Sequence, residues 1–242
     1  MKIGILLCDH VQTHLQTAHG DYPEMFLAAF DKLNVKSNVD SKTSLSFYHV
    51  IDGQLPRDID ECDAYISSGS KFSVNDNFPW IHQLADFINL LYQGKKVFIG
   101  ICFGHQLMAK VLGGKVQLNP KGWGVGISKA SITCQMHWMQ PQLNAIKLLV
   151  SHQEIVTVLP KKALLLAGND FCPHAMYQVD SHFLGIQAHP EFTFEYAKDL
   201  MLSRKGSIAE ENLSQGLDSL AMKSDSDIVM AWLKHFIKQG LT

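Results

Sequence analysis

The stretch "KKVFIGICFGHQLMAKVLGG", residues 95–114, limits the fold of this chain more than any other segment. Its apolar run, residues 96–101, is typical of a buried strand, and the segment after Cys102 predicts a helix. Gly100 and Gly104 stand two residues to either side of Cys102, and small residues are needed where a backbone turns sharply between two packed elements. The sequence therefore predicts a tight strand-to-helix turn with Cys102 at its corner.

Strands and helices alternate along the first half of the chain. Pro79 and Gly94 mark the two ends of one predicted helix, and a proline also starts an earlier one. The alternation predicts an α/β fold: a three-layer, flavodoxin-like sheet, mostly parallel or mixed, flanked by helices on both faces. The predicted strands are residues 2–8, 44–50, 63–70 and 96–101, and the predicted helices are residues 23–34, 79–94 and 103–114.

The pattern changes at about Trp123, where short strand-like runs separated by turns replace the alternation. These runs predict a small added antiparallel sheet. The tail, residues 192–239, is helical in pattern and ends in an amphipathic helix. Because no repeat, low-complexity segment or linker interrupts the chain, we expect a single domain over residues 1–242, with a core of about residues 1–196 and a helical extension of about residues 197–242.

The composition is that of an ordinary soluble protein, and it restricts the classes of partner. A formal net charge of −2 without a long basic run argues against nucleic acid. The N-terminal apolar stretch stops at Asp9, too early for a signal peptide, and no run approaches the roughly 18 apolar residues of a membrane span. Five irregularly spaced cysteines favour a reducing compartment. We therefore expect a cytoplasmic protein that binds neither nucleic acid nor a membrane.

No motif for a cofactor or a metal ion stands out. The segment "QGKKV", residues 93–97, lacks the frame of a phosphate-binding loop. His10 and His14 stand four residues apart with His19 beyond, a spacing that suits a metal on a helix, but no acidic or cysteine ligand completes the pattern. The sequence therefore predicts neither a cofactor nor a metal, and it leaves the role of these three histidines open.

Cys102 is the candidate nucleophile. At a helix N-terminus the backbone N–H groups and the helix dipole favour an anion, so a thiolate is stabilised there. The backbone N–H of Phe103 is predicted to point towards an oxyanion formed beside the sulfur. The alternative is a buried free cysteine that acts as a small hydrophobic side chain. We expect that simpler role for the other cysteines, Cys8, Cys62, Cys134 and Cys172.

His189 and Glu191 are the candidate base and orienting acid. A thiol nucleophile needs a base, and the base needs a group that holds it. In "GIQAHPEF" a strand-like run ends at His189, and Pro190 places the histidine and Glu191 in one rigid turn. The imidazole can then face the cysteine while the carboxylate holds its other nitrogen. Since the chain has 12 histidines, a surface turn that happens to contain His and Glu is the alternative.

The segments "GICFGHQ" and "GIQAHPEF", in this order and about 87 residues apart, resemble the class I glutamine amidotransferases. The resemblance runs from Met1 to about Tyr196 and is strongest to the stand-alone proteins related to the glutaminase domain of GMP synthase. It implies a triad in which Cys102 is the nucleophile, His189 the general base and acid, and Glu191 the orienting carboxylate. It also implies cleavage of a γ-carboxamide through a γ-glutamyl thioester.

The same resemblance implies residues for an oxyanion hole and for substrate binding. Gly69, in "ISSGS", matches the glycine whose N–H completes the oxyanion hole. "VSHQEIVTVLP" is similar to a segment that reads Ser-His-Gly-Asp in GMP synthase, but here Gln153 replaces the glycine and Glu154 is one methylene longer than the aspartate. The substrate-binding residues implied in this way are Gln106, Ser151, His152 and Glu154.

Three classes of function remain open from the sequence. One is a hydrolase or transferase that acts alone on a small molecule, either glutamine or a γ-glutamyl compound, as the plant γ-glutamyl peptidases of this family do. Another is a glutaminase that passes ammonia to a separate synthase chain, because the roughly 45 residues past Tyr196 are too few for the ATP-pyrophosphatase domain of GMP synthase. The third is a catalytically silent binding module, which the intact Cys102, His189 and Glu191 argue against. The lack of a fused synthase domain favours the first class.

Overall fold

A nine-stranded sheet forms the centre of the fold in the computed structural model, which describes residues 1–37 and 43–241. In chain order, the strands of the described residues are β1 (Lys2–Leu7), β2 (Ser44–His49), β3 (Ala64–Ser67), β4 (Val97–Ile101), β5 (Lys115–Leu118), β6 (Gly124–Ile132), β7 (Ala145–His152), β8 (Glu154–Val158), β9 (Ala163–Gly168), β10 (Met176–Val179) and β11 (Phe183–Ile186). The order across the large sheet is β2-β1-β3-β4-β11-β10-β9-β6-β7, and β5 pairs with β8 in a separate two-stranded sheet.

Helices surround this sheet. In the same described ranges they are α1 (Thr13–His19), α2 (Tyr22–Ser37), α3 (Pro79–Gln93), α4 (Phe103–Val111), α5 (Phe194–Ser203), α6 (Glu210–Ser219) and α7 (Ser226–Gly240), with a short 3-10 helix at Val50–Asp52. The helices predicted in the first half of the chain correspond to α2, α3 and α4. Helix α1 was not predicted, because Leu15 is its one buried residue and leaves no apolar pattern to detect. Every helix within the described ranges falls short of the length and apolar character of a membrane span.

Five neighbouring strands of the large sheet, β2, β1, β3, β4 and β11, run parallel to one another. Strand β11 is the last in the chain, yet it lies beside β4 and pairs Ile186 with Ile101. With helices on both faces, this arrangement confirms the predicted α/β class.

The strand-like runs after Trp123 are present, but most of them extend the large sheet. Strands β10, β9, β6 and β7 continue it antiparallel beyond β11, and the small added sheet is β5 with β8. Short connections explain this arrangement, because strands joined by a few residues pair antiparallel, as β10 and β11 do across residues 180–182. Strand β5 was missed in the sequence because only Val116 of its four residues is buried.

Two apolar cores lie on opposite faces of the large sheet, as the alternation of side chains along a strand requires. In β4, Ile99 and Ile101 point into the core shared with α2 and α7, whereas Phe98 points into the core shared with α3 and α4. Helix α7 belongs fully to the first core, because its Trp232 and Phe236 are completely buried. The helical extension therefore contributes side chains to the same core as the sheet.

Strand β4 and helix α4 approach each other closely at two glycines. A Cβ placed on Gly100 would lie 2.4 Å from the backbone carbonyl carbon of Gly104 and 2.6 Å from the backbone nitrogen of His105. A Cβ placed on Gly104 would lie 1.6 Å from Oγ of Ser67. Both residues must therefore lack a side chain, which is the steric requirement that the sequence predicts for the turn.

Gly100→Ala is expected to lower the free energy of unfolding by about 3 kcal/mol or more, because a side-chain rotation cannot relieve overpacking against backbone atoms. Gly206→Ala is the matched control: no atom lies within 4 Å of a Cβ at that position, so we expect a change below about 0.5 kcal/mol. Urea unfolding followed by circular dichroism measures both values. Equal stabilities of the two variants would contradict the close approach.

Candidate active site

The carboxyl ends of three neighbouring parallel strands bring predicted site residues to one edge of the sheet. Strands β4 and β11 end side by side, because Ile101 pairs with Ile186. Gly69 follows β3, Cys102 follows β4 and His189 follows β11. Segments far apart in sequence thus meet at the edge where open α/β sheets bind their ligands.

Cys102 occupies the corner between β4 and α4, with φ 49° and ψ −96°. A positive φ is rare for a residue with a side chain and costs about 1–3 kcal/mol, so surrounding contacts must hold it. The Cys102 backbone N–H donates to the Ile186 carbonyl at 2.8 Å, which ties the corner to β11. Its sulfur accepts a hydrogen bond from the Gln187 side-chain amide at 3.5 Å. The strained turn is the one that the flanking glycines predict.

His189 and Glu191 form a buried pair beside Cys102. Nδ1 of His189 lies 2.7 Å from Oε1 of Glu191, and the imidazole lies close enough to the Cys102 side chain for the two groups to interact electrostatically. The imidazole stacks on Phe192 with ring centroids 3.9 Å apart, and the His189 backbone N–H donates to the Leu149 carbonyl. Because His189 is 2% exposed and Glu191 4% exposed, the alternative of a surface turn is wrong.

The surroundings of His189 change the pKa of its imidazole. Burial disfavours an imidazolium, but the carboxylate of Glu191 and the neighbouring Cys102 side chain outweigh it and raise the pKa of His189 above its usual value. Elsewhere burial raises the pKa of the Cys8 thiol, and it raises the pKa of the Cys172 thiol to about 12. Of these three cysteines, Cys102 is the one that lies beside a histidine with a raised pKa.

Gly69 and Phe103, the residues predicted for an oxyanion hole, both border Cys102. Phe103 is the first residue of α4, and backbone N–H groups in the first turn of a helix have no partner within the helix. A Cβ on Gly69 would lie 2.5 Å from Cε1 of His189 and 3.4 Å from Cβ of Cys102. Only a glycine therefore fits between the imidazole and the backbone at this position.

A pocket of about 160 Å³ opens beside Cys102. Its walls come from α4, from the turn between β7 and β8, from the loop after β3 and from the residue that follows α5. The structure brings together in these walls all four residues that the sequence resemblance assigns to substrate binding: Gln106, Ser151, His152 and Glu154.

Hydrogen bonds hold the pocket side chains in place. Nε2 of Gln106 donates to the Glu154 carbonyl at 2.8 Å and to Oε1 of Gln187 at 3.1 Å. Nδ1 of His152 donates to the same carbonyl at 3.0 Å, and burial lowers the pKa of His152 to about 4, so its ring is neutral at pH 7. The Ser73 hydroxyl lies 2.8 and 2.9 Å from the two carboxylate oxygens of Glu154 and donates to them.

Gln187 is a site residue that the motif analysis missed, although a signal for it existed. It stands two residues before His189 in "GIQAHPEF", and alternate residues of an extended segment lie on the same side. Its side chain contacts both the Cys102 sulfur and Gln106. Gln187 therefore links Cys102 to Gln106 in the wall of the pocket.

Two further pocket residues, Trp123 and Arg204, were also not predicted. Nη1 of Arg204 donates to Oγ of Ser151 at 2.7 Å, and the guanidinium lies 5.1 Å from the centre of the Trp123 ring. Arg204 follows α5 and belongs to the extension that the sequence places outside the core. No motif or periodicity relates the two positions, so only the folded chain reveals them.

His10, His14 and His19 do not share one helix face. His10 precedes α1, whereas His14 and His19 lie on it, so the helical spacing suggested by the sequence does not exist. Nε2 of His19 pairs instead with Asp199 at 2.8 Å. Within the described residues, one group of side chains has metal-ligating atoms within 4.8 Å of one another, and it consists of His10, His49 and Asp52.

Comparison with known proteins points to one family. The family model described as glutamine amidotransferase class-I matches residues 19–208. Gamma-glutamyl peptidase 5 of Arabidopsis thaliana is 32% identical over 206 residues, which cover 80% of this chain and 77% of that protein. Gamma-glutamyl peptidase 3 of the same plant is 30% identical over 202 residues, covering 80% and 78%.

More distant similarities agree with this result. One subunit of the glutamine-hydrolyzing GMP synthase of Sulfolobus acidocaldarius is 30% identical over 135 residues, which cover 55% of this chain and 70% of that protein. The solved structure of a glutamine amidotransferase from Thermotoga maritima covers 100% of this chain and 97% of its own, with a TM-score of 0.73 and 15% identity. The fold is thus shared even where sequence identity is low. The chain belongs to the class I glutamine amidotransferases.

Iodoacetamide at pH 7.5 is expected to alkylate Cys102 about tenfold faster than Cys8 or Cys172, because the thiolate is the reacting form and an imidazolium favours it. His189→Ala should slow the alkylation of Cys102 by a similar factor. Cys134, which is partly exposed, should keep its rate and serves as the internal control. Peptide mapping by mass spectrometry after short exposures measures each rate. Alkylation of Cys8 before Cys102 would contradict this electrostatic account.

Proposed function

We propose that this protein is a hydrolase that cleaves the γ-amide of glutamine or of a γ-glutamyl compound through a γ-glutamyl thioester on Cys102. The observation that carries the proposal is the hydrogen-bonded pair of His189 and Glu191 next to Cys102, all three buried at the carboxyl edge of the sheet. A nucleophile, a base and a group that orients the base are the components of nucleophilic catalysis. Membership of the class I glutamine amidotransferases supports the same chemistry.

The reaction proceeds in two steps. The Cys102 sulfur attacks the carbonyl carbon of the γ-amide, a C–S bond forms, and the C–N bond breaks as His189 gives its proton to the leaving nitrogen. His189 then takes a proton from water, the water oxygen attacks the thioester carbon, and the C–S bond breaks to release glutamate. Throughout both steps, Glu191 holds Nδ1 of the imidazole and stabilises its charged form.

Backbone N–H groups stabilise the oxyanion in both steps. Gly69 and Phe103 border Cys102 from the loop after β3 and from the start of α4, so they are the donors in this proposal. Each donor of this kind typically lowers the barrier by about 3 kcal/mol.

The amino-acid end of the substrate occupies the pocket beside Cys102. The Glu154 carboxylate receives the α-ammonium group, and the hydroxyl of Ser73 holds that carboxylate in place. Gln106 and Ser151 line the same pocket. His152 is neutral, so it shapes the wall without adding charge.

Similarity to known proteins favours some of the candidate functions over others. Similarity to the γ-glutamyl peptidases at 30% and 32% identity favours a γ-glutamyl compound acted on by the protein alone. A glutaminase that delivers ammonia to a separate synthase chain is the second candidate, favoured by similarity to one subunit of a GMP synthase. A silent binding module is disfavoured, because Cys102, His189 and Glu191 are present and in contact.

The free cysteines of the described residues favour a cytoplasmic location.

A hydrolysis screen of the purified protein tests this proposal. Glutamate release from L-glutamine, γ-glutamyl dipeptides, glutathione and glutathione conjugates is measured at steady state. We expect the γ-glutamyl compounds to react at least as fast as free glutamine, because no partner chain is needed to accept the leaving group. Cys102→Ala should lose more than about 10³-fold in rate, and Cys134→Ser, the matched control outside the pocket, should keep the wild-type rate.

Each outcome of the screen selects between the candidates. Turnover of glutamine with no turnover of any γ-glutamyl amide would favour the glutaminase that serves a synthase. Activity that arises only when a synthase chain is added would also favour the glutaminase that serves a synthase. If Cys102→Ala retained a tenth of the wild-type rate, the assignment of the nucleophile would be wrong.

Glu191→Gln removes the charge that raises the pKa of His189, so that pKa falls and the imidazolium is lost at a lower pH. We therefore expect kcat/KM at pH 7 to fall about 10–100-fold, and the alkaline limb of the pH–rate profile to move down by about 1–3 units. His189→Ala should lose more activity than Glu191→Gln. Steady-state rates between pH 6 and 10 measure both effects, and an alkaline limb that moved upward would exclude this role for Glu191.

A further inference from the structure

Arg204 is fixed at the wall of the catalytic pocket by two contacts. Its Nη1 donates to Oγ of Ser151 at 2.7 Å, and its guanidinium lies 5.1 Å from the centre of the Trp123 ring. The chain contains two arginines, and the other one, Arg57, is exposed on the surface. The guanidinium in the pocket is therefore held in one orientation rather than left free in solvent.

Most of the hydrogen-bonding capacity of Arg204 is not used by the protein. A guanidinium has five N–H donors in a planar fork that matches the two oxygens of a carboxylate, and Ser151 accepts one of them. Within the described residues, no carboxylate lies within 4.0 Å of Arg204. A planar cation that lines a pocket and is not paired with a carboxylate of the protein indicates that a ligand supplies the partner anion.

The other cation of the pocket is already paired. Nζ of Lys71 lies 3.1 Å from Oδ1 of Asp9, and the Lys71 backbone N–H donates to the second oxygen of the same carboxylate at 2.7 Å. Asp9 is buried, whereas the Lys71 side chain is about half exposed. Lys71 is thus neutralised by the protein, whereas Arg204 is not.

Glu154 supplies the opposite charge in the same pocket. Its two carboxylate oxygens accept from Ser73, and no cation of the described residues lies within 4.0 Å of them. Arg204 and Glu154 therefore line one pocket of about 160 Å³ without pairing with each other. One fixed cation and one fixed anion kept apart in this way are complementary to the carboxylate and ammonium groups of an amino acid.

We propose that Arg204 binds the α-carboxylate of the γ-glutamyl group while Glu154 binds its α-ammonium, so that the enzyme requires a substrate with a free amino-acid end. This inference rests on the proposed function and deepens it: Arg204 becomes a specificity-determining residue that the helical extension supplies. A carboxylate on the leaving half has the same chemistry, and the presence of Glu154 in the pocket favours the α-carboxylate.

The test compares substrates that differ in one carboxylate. The first pair is γ-glutamyl-p-nitroanilide and its α-methyl ester, and the second is γ-glutamylglycine and γ-glutamylglycine amide. We expect the wild-type kcat/KM to be about 10–100-fold higher for the free acid of the first pair, because a charge-assisted bidentate contact is lost in the ester. Arg204→Met, whose side chain still covers Trp123, should reduce this ratio to about threefold or less, mainly through KM. Arg57→Met, the matched control, should keep the wild-type ratio.

The second substrate pair separates the two sources of carboxylate. If Arg204→Met changed the ratio for γ-glutamylglycine and its amide but not the ratio for the first pair, Arg204 would bind the leaving half, and the α-carboxylate assignment would be wrong. If Arg204→Met changed neither ratio, the residue would have no role in recognition, and the inference would be overturned.

A binding measurement distinguishes failure of this inference from failure of the proposed function. In Cys102→Ala protein, calorimetry with L-glutamate and with L-isoglutamine, whose α-carboxylate is an amide, reports recognition without turnover. We expect L-glutamate to bind about tenfold or more weakly after the further change Arg204→Met, and L-isoglutamine to be unaffected. If the wild-type enzyme hydrolysed none of the substrates but this difference held, the proposed reaction would fail while the role of Arg204 stood. Equal binding of L-glutamate with and without Arg204 would overturn the role itself.

Discussion

Close contact between two backbones, that of β4 and that of α4, is the constraint on which the site depends. Gly100 and Gly104 have no side chains where helix and strand meet, and one added carbon at either position would overlap neighbouring atoms. Since the helix begins this close to the strand, the chain must change direction within one residue, and Cys102 adopts φ 49° to do so. The strain lies within one residue, but the contact that holds it comes from a different strand: the Cys102 backbone N–H donates a hydrogen bond to the Ile186 carbonyl of β11.

Strand β11 lies beside β4, and this brings His189 close to Cys102. After β4 and α4 the chain builds the antiparallel strands, and it returns to the parallel part only with β11. That return places His189 one strand away from Cys102, although about 87 residues separate them in sequence. Because Glu191, His189 and Cys102 are all buried, the electrostatic interactions between them are weakly screened. The topology of the sheet thus sets the electrostatic environment of Cys102.

The sequence was sufficient where a local pattern marks a structure. Apolar runs and marked ends predicted β1 to β4 and α2 to α4, and the glycines around Cys102 predicted its turn. The pattern was not sufficient for β5 and α1, because each buries a single side chain, Val116 or Leu15. It also failed for Trp123 and Arg204, because their contact is made between segments with no periodic relation in the chain. Only the packing of α5 beside β7 places the arginine at the pocket.

The packing of α7 determines the stage of synthesis at which the core beside β4 is completed. Gly240 of α7 lies so close to β4 that a Cβ there would be 2.4 Å from Cγ2 of Val97. A ribosome delivers β4 long before α7, and domains fold as units as they emerge. Until α7 leaves the exit tunnel, the face of β4 that packs in the core shared with α2 and α7 is only partly covered. The nascent chain therefore carries Cys102 beside a core that stays incomplete until translation has passed α7.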